Sequence, residues 1–371
     1  MSQLRLLMMA EQLRRQASGG IGTYIRGLIQ GLDDLDPAER PEVTLVASRS
    51  TSDRGTPDPL AELAYSVRAY PLPGPVLTRA WDRGALRGSR GFDVVQATSL
   101  STLAPGRAAL VTTVHDLLWR RVPEAYPARG RAWHEGALRR ALRRSDRFIV
   151  PAEVVAVDLI EAGAPAGSVH VIPMGSDHLP SPDVDAATSL LSRMGVDGPF
   201  LLSVGTLEPR KNLPRLVDAY ERVRSSLPEA WPLVLVGPSG WGAQVKPDTG
   251  VVLTGMVTPA ELSALYAMAR LLAYVPLEEG FGLPPVEAMA FGTPVVASPL
   301  PSTAGAAFEV DPLDVDSIAG GLLAVAGDET ERDRLSRLGR LRSDELRWSV
   351  IAGQHLAVWR EARLAKRALR G

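Results

Sequence analysis

Two doubly wound α/β domains, each built on a parallel sheet, are what this 371-residue sequence predicts. Short apolar runs bounded by Gly, Pro or Asp recur along the chain, with amphipathic helical patterns between them. The alternation stops at a Pro/Asp/Ser-rich stretch, Pro180 to Asp185, and then starts again. A length of 371 residues also exceeds the roughly 250 at which a single core stops growing. The expected division is 1–180, 181–347 and a terminal segment, 348–371, that returns to brace the first domain.

In the first half the apolar runs are Leu4 to Met9, Val43 to Ala47, Asp93 to Ala97, Ala109 to Val114, Arg147 to Val150 and Val169 to Ile172. Their near-continuous apolar character fits strands covered on both faces, as in a parallel sheet. Tyr24, Leu28, Leu32 and Leu35 recur at three- and four-residue spacing and mark the first crossover helix. The second half repeats the pattern at Phe200 to Val204, Leu233 to Val236, Val251 to Thr254, Leu271 to Val275, Val295 to Ala297 and Ala307 to Val310. Open α/β sheets bind ligands outside the carboxyl ends of their strands, so chemistry is expected in a cleft, on loops that follow strands. The segment from Trp348 to Leu369 reads as a helix with Ile351, His355, Val358 and Trp359 on one face.

Composition excludes several classes. A net charge of -1 gives no global attraction to nucleic acid or to a membrane. With no cysteine there is no disulfide, thiolate nucleophile or thiolate-held metal. The short apolar start is followed by polar Glu11 to Arg15 and lacks a convincing leader cleavage site, so it reads as a first strand. No apolar stretch nears the ~20 residues needed to span a bilayer. The expected setting is cytoplasmic.

The most informative stretch is Glu278-Glu279-Gly280-Phe281-Gly282-Leu283-Pro284-Pro285-Val286-Glu287, which follows the apolar run Leu271 to Val275. Strand, glycine loop and helix start come in sequence. Prolines suit the first helical positions, where a missing N–H costs nothing. Glycines let the backbone approach a ligand, and amides at Gly282 and Leu283 face an anion in the field of the helix dipole. A diphosphate fits. Glu279 and Glu287 bracket the loop, and a carboxylate accepts from two adjacent hydroxyls. Glu287 suits a ribose diol and Glu279 a transferred sugar; an isolated acid at a helix start has the blander explanation of a favourable dipole.

A second stretch, Ser203-Val204-Gly205-Thr206-Leu207-Glu208-Pro209-Arg210-Lys211-Asn212-Leu213, again runs from strand to helix. Adjacent cations at a helix start oppose the dipole unless an anion neutralises them. Arg210 and Lys211 are candidates for gripping a diphosphate and stabilising it as a leaving group, against the alternative of a solvated basic turn. His115 ends a buried run just before Asp116, where open sheets place ligand groups. The other histidines, His134, His170, His178 and His355, carry no motif and read as structural.

These residues together resemble the retaining glycosyltransferases of family 4. The resemblance covers nearly the whole chain: Gly19-Gly20-Ile21-Gly22-Thr23-Tyr24, Thr113-Val114-His115-Asp116, Gly205 to Asn212, Glu279 to Glu287, and Phe291-Gly292-Thr293-Pro294-Val295-Val296-Ala297. It implies the GT-B fold, two Rossmann-like doubly wound domains facing across a cleft. It also implies that Glu279 and Glu287 are the paired glutamates of the family signature, and that Arg210 and Lys211 bind donor phosphates. By the same resemblance Gly20 and Gly22 belong to a loop beside the diphosphate, and His115 lies beside the donor sugar. Gly205, Gly280, Phe281, Gly282 and Leu283 complete the donor-binding set.

The resemblance further implies transfer of a hexose, mannose favoured over glucose, from a nucleotide diphosphate sugar to a cell-envelope glycan or lipid-linked acceptor. GDP-mannose is favoured over a UDP-sugar as donor; a glucosyl- or N-acetylglucosaminyltransferase using a UDP-sugar is the alternative. No cofactor and no metal are expected, because no D-x-D motif is evident and the cations and loop amides replace a divalent ion. Relatives are thought to retain configuration by front-face displacement, the leaving phosphate taking the acceptor proton; a double displacement through Glu279 is the other route. A glycoside hydrolase built on Glu279 and Glu287 is disfavoured, since hydrolysis needs no diphosphate site.

Two further features bear on partners. Arg129, Arg131, Arg139, Arg140, Arg143, Arg144 and Arg147 form a basic stretch with Trp133, Leu138 and Leu142, suited either to peripheral contact with an anionic membrane or to a solvated face. The segment Pro299 to Ala307 is shorter than its counterpart in relatives, which raises a non-catalytic nucleotide-sugar or glycan-binding homologue as a rival. Gln96 stands where relatives commonly have histidine, and Pro151-Ala152-Glu153 replaces a serine-rich segment.

Overall fold

The structure, a computed structural model, describes residues 3–15, 18–49, 58–86, 89–227, 231–240 and 250–369. The chain divides into two compact units, one of residues 1–178 with 348–371 and one of residues 179–347.

The first unit opens with β1 (Arg5–Met9), α1 (Gly19–Asp33), β2 (Glu42–Ser48), β3 (Ser66–Tyr70), α2 (Gly74–Asp82), β4 (Val94–Ala97) and β5 (Ala109–Thr113). It continues through α3 (Leu118–Arg121), α4 (Ala128–Arg144), β6 (Arg147–Val150), α5 (Glu153–Glu161) and β7 (Val169–Val171). All seven strands are parallel, in the order β3-β2-β1-β4-β5-β6-β7. Chain direction across the sheet therefore reverses between β1 and β4, the point where such sheets take ligands. Strand β3 breaks the sequence expectation. Its Ser-Val-Arg-Ala-Tyr pattern has no apolar run, because it is an edge strand exposed or half-exposed throughout.

The second unit comprises α6 (Val184–Arg193), β8 (Leu201–Val204), α7 (Leu213–Val223), β9 (Leu233–Val236), β10 (Val251–Gly255), α8 (Pro259–Met268) and β11 (Leu271–Tyr274). It closes with α9 (Leu283–Ala290), β12 (Val295–Ala297), β13 (Phe308–Glu309), α10 (Val315–Gly327) and α11 (Glu329–Glu345). Six parallel strands run β10-β9-β8-β11-β12-β13, the order of dinucleotide-binding sheets, with the reversal between β8 and β11. Its core packs Leu201, Leu233, Leu235, Leu271 and Ala273 of the sheet against Leu216, Tyr220, Ile318 and Leu322 of the covering helices.

The last helix, α12 (Trp348–Ala368), lies on α1 in the first unit. The contact is close enough that a Cβ at Gly27 would overlap the Trp348 indole and one at Gly31 the Trp348 carbonyl, so glycines on α1 are what admit the start of α12. Ion pairs fix its far end: Arg147 with Glu361 at 2.8 Å, Asp146 with Lys366 at 2.8 Å and Asp93 with Arg367 at 2.9 Å. Among the described residues no helix is long and apolar enough to cross a membrane.

Candidate functional site

In the second unit the loops after β8 and β11 flank the reversal point, because these strands pair with each other (Leu271 with Leu201, Leu272 with Leu202). The β8 loop makes one tight turn at Pro209–Lys211 and then a left-handed residue, Asn212, with φ 59°. Asn212 tolerates that conformation because its amide is tied down: Nδ2 donates to the carbonyls of Val275 at 3.0 Å and Pro312 at 2.7 Å. The loop backbone is also pinned to the β11 loop, Leu277 N–H donating to the Arg210 carbonyl at 2.9 Å. A Cβ at Gly237, which has φ +143°, would overlap the Gly205 carbonyl, so the next loop presses on this one through a glycine.

These anchors bring Arg210, Lys211 and Glu279 together. Arg210 Nη1 lies 2.7 Å from Glu279 Oε1, and Lys211 Nζ pairs with the same oxygen. Tyr274 OH donates to Glu279 Oε1 at 2.7 Å and accepts from Lys211 Nζ at 2.7 Å. Arg210 also pairs with buried Glu208 at 2.6 Å and donates to the Glu278 carbonyl at 3.1 Å. Two cations expected to be locally unfavourable are thus balanced by two carboxylates, one on each loop.

Burial pushes the Glu279 carboxyl up, but Lys211 and Arg210, with the Lys211 and Tyr274 hydrogen bonds, outweigh it and hold the pKa at about 2. Burial, then the Glu279 charge, drives the Tyr274 phenol well above its ordinary value. Both groups keep one protonation state across neutral pH. Since the folded pKa of about 2 lies below the ordinary 4.5, the stabilisation is complete above pH 4.5 and is lost as pH falls through 2. Urea unfolding from pH 6 to 2 should show wild type losing on the order of 2–3 kcal/mol more than Glu279→Gln over that window. Parallel curves for the two proteins would remove this account of the cluster.

Helix α9 starts at Leu283, after a left-handed Gly282 with φ +91°, so Pro284 and Pro285 fall in its first turn, as the sequence leads one to expect. With no N–H on either proline, the donors left at this end are Gly282 and Leu283 themselves. Gly280, Phe281 and Gly282 are buried, and a Cβ at Gly282 would press within 3.1 Å of Ser302 Oγ and 3.2 Å of Leu300. Glu287, one turn in, is buried and accepts from Tyr266 OH at 2.8 Å. The short segment 299–307 packs here as well: Ser302 N–H donates to the Phe281 carbonyl at 3.2 Å, and Arg342 of α11 donates to the Ser302 carbonyl at 2.8 Å.

The first unit holds the remaining candidates. His115 follows β5 and its Nε2 lies 2.9 Å from the Thr98 carbonyl after β4; a carbonyl only accepts, so Nε2 carries the proton. Burial lowers its pKa, against the Thr98 bond and Asp116, which favours the neutral ring. Its edge meets Tyr24 at 5.1 Å between centroids. Gly20 is exposed in the first turn of α1, while Gly22 is buried where a Cβ would overlap Ser18.

Beneath His115 runs a buried chain of polar groups. Trp359 donates to Gln96 at 2.7 Å and Gln96 to Thr113 Oγ1 at 2.9 Å. Tyr24 OH lies 2.8 Å from both Thr113 Oγ1 and His355 Nε2. His355 Nδ1 must donate to the Ile351 carbonyl at 2.8 Å, so Nε2 accepts from Tyr24, and burial lowers the His355 pKa to about 4. Gln96 therefore joins β4, β5 and α12 in place of the histidine expected there.

The basic stretch divides in the structure. Arg140 pairs with Asp82 at 3.1 Å, Arg144 donates to the carbonyls of Trp81, Thr102 and Asp82, and Arg147 belongs to β6 and pairs with Glu361. Arg129, Arg139 and Arg143 remain exposed on α4, whose Ala137, Leu138 and Ala141 are buried. Sequence reading missed Glu208, Tyr266 and Tyr274. Tyr274 ends strand β11 directly before the loop, and that position is the signal that marks it.

Residues 18–178 match the model of Glycosyltransferase Family 4, and residues 198–328 match that of Glycosyl transferases group 1. An O-antigen chain mannosyltransferase B of Escherichia coli is 28% identical, over 67% of this chain and 70% of that protein. An MMP α-(1→4)-mannosyltransferase of Mycolicibacterium hassiacum is also 28% identical, over 93% of this chain and 95% of the relative. Among solved structures, Anabaena HepE in complex with UDP and glucose superposes with a TM-score of 0.72 at 20% identity, covering 95% of this chain and 98% of that one. Sucrose-phosphate synthase from Thermosynechococcus elongatus gives 0.74 at 22% identity, over 98% and 100%. One matched segment lies in each of the two parallel-sheet units, and the fold is shared with GT-B glycosyltransferases over nearly its whole length; this chain belongs to the family 4 glycosyltransferases.

Proposed function

We propose that the chain is a hexosyltransferase that moves mannose, in preference to glucose, from a nucleotide diphosphate sugar to a cell-envelope glycan or lipid-linked acceptor, with retention and without a metal ion. The observation that carries this reading is the Arg210–Lys211–Glu279 cluster at the reversal point of a dinucleotide-type sheet, on the two loops that also lead into α7 and α9. Arg210 and Lys211 take the diphosphate and stabilise it as charge develops on departure. Glu279 exchanges its cations for sugar hydroxyls, Glu287 accepts from the ribose diol, and the Gly282 and Leu283 amides complete the anion site. His115, Gly20 and Gly22 keep the roles that the family resemblance gives them, and Gly205, Gly280 and Phe281 shape the donor loops.

Front-face displacement, with the leaving phosphate taking the acceptor proton, is the route proposed over a double displacement through Glu279, because Glu279 is assigned to the sugar hydroxyls and no protein nucleophile is then required. Mannose is supported by mannosyltransferases among the relatives of similar sequence, and a nucleotide donor by HepE structures with UDP and UDP-glucose. GDP-mannose is the donor proposed, and the inner face of the cell membrane the site of action, with Arg129, Arg139 and Arg143 as the contact.

Isothermal titration with GDP, UDP and ADP, with and without EDTA, tests the donor side. GDP should bind at micromolar concentration, unaffected by EDTA, and GDP-mannose should turn over in the same buffer. Preference for UDP would reassign the donor; a requirement for divalent metal would remove the cation role given to Arg210 and Lys211.

A further inference from the structure

In the first unit a cavity of about 970 Å³ is lined by six arginines, Arg14, Arg15, Arg49, Arg79, Arg83 and Arg140. They come from separate elements: the segment after β1, the residue that follows β2, helix α2 with the residue that follows it, and helix α4. Two carboxylates share the wall, and both are engaged there. Glu11 accepts from the Ser48 N–H at 2.6 Å and hydroxyl at 3.0 Å, and it approaches so near α2 that a Cβ at Gly74 would overlap it. Asp82 holds Arg140 at 3.1 Å and accepts from Ser101 at 3.2 Å, while Arg14 pairs with Asp58.

Arg15, Arg49, Arg79 and Arg83 are exposed, and none of them forms an ion pair among the described residues. Like charges gathered around one concavity repel at a cost that an occupant of opposite charge removes. Trp133, 40% exposed, adds an apolar face of the kind on which a sugar ring packs. The volume suits a small molecule, and the concave shape does not suit a flat lipid surface.

We infer that this cavity binds a phosphate-bearing sugar or polyol, its phosphate held by Arg49, Arg79 and Arg83 and its ring against Trp133. Phosphate is favoured over carboxylate because it brings nearly two charges and three acceptor oxygens to several guanidinium forks. Naming this ligand as the acceptor rests on the transferase reading; the binding itself does not.

Isothermal titration of the full chain with mannose 6-phosphate, mannose and glucuronate tests the site. Mannose 6-phosphate should bind at least tenfold more tightly than either, and Arg79→Gln/Arg83→Gln should remove that advantage. Thermal melting should be unchanged in the variant, since both side chains are exposed. Nucleotide titration, run separately, should give the same affinity in both proteins, which excludes the donor loops as the phosphate site. Equal binding of mannose and its phosphate, equal binding of glucuronate, or an unaffected double variant would each overturn the inference. So would flotation with phosphatidylglycerol vesicles without any binding of mannose 6-phosphate. Phosphosugar binding without nucleotide binding would leave this site standing and remove the donor reading.

Discussion

Lys211→Met should lower kcat by about 10²–10³-fold, the usual cost of removing one preorganised donor from developing negative charge. Methionine keeps the aliphatic length that packs beside Gly205, where a Cβ would stand 3.3 Å from Lys211 Cε, so the loop retains its shape. Glu279 keeps two of its three partners, Arg210 and Tyr274. Arg210→Met is a poorer test, because it strips the cation from buried Glu208 as well as from Glu279. A change in kcat larger than the change in KM places the Lys211 contribution in the transition state. Thermal melting should move by only a few degrees; a kcat within threefold of wild type would end the leaving-group role.

Glu287→Gln should weaken nucleotide binding by about 10–100-fold, the range expected for losing charge-assisted hydrogen bonds to a diol. Glutamine retains an acceptor for Tyr266, whose hydroxyl donates to Glu287 at 2.8 Å and is itself buried. Alanine would confound the result, since it leaves that phenol without its partner. Tyr266→Phe is the matching control: it removes the support and keeps the carboxylate, and a few-fold loss is expected. Isothermal titration of both variants separates the two effects. Equal affinities for Glu287→Gln and wild type would show that the carboxylate is a structural acceptor for Tyr266 alone.

Much of the fold was legible because strands buried on both faces are written as continuous apolar runs. Phe200 to Val204, Leu233 to Val236 and Leu271 to Val275 each contain a strand of the second unit. Ser66 to Tyr70 carried no such mark, since an edge strand is not required to be apolar on both faces. The glycine loop and its glutamates were legible from local order, strand then turn then helix. Arginine spacing between 129 and 147 misled in part. Arg140, Arg144 and Arg147 look solvated in one dimension and are bound to Asp82, to backbone carbonyls and to Glu361 in three.

From the sequence by itself come the two parallel sheets, the placement of Arg210, Lys211 and Glu279 on loops that follow strands and of Glu287 in the helix after its loop, and the family. Only the tertiary structure decided that Glu279 pairs with both cations while Glu208 supplies the second negative charge, that Tyr274 joins them, and that Gln96, Thr113, Tyr24 and His355 form one buried chain. Local periodicity records whether a segment is a strand, but carries nothing of which strand lies beside it. Strand β11 lies next to β8 because the chain crosses back over the sheet, and that crossing brings together residues 68 positions apart.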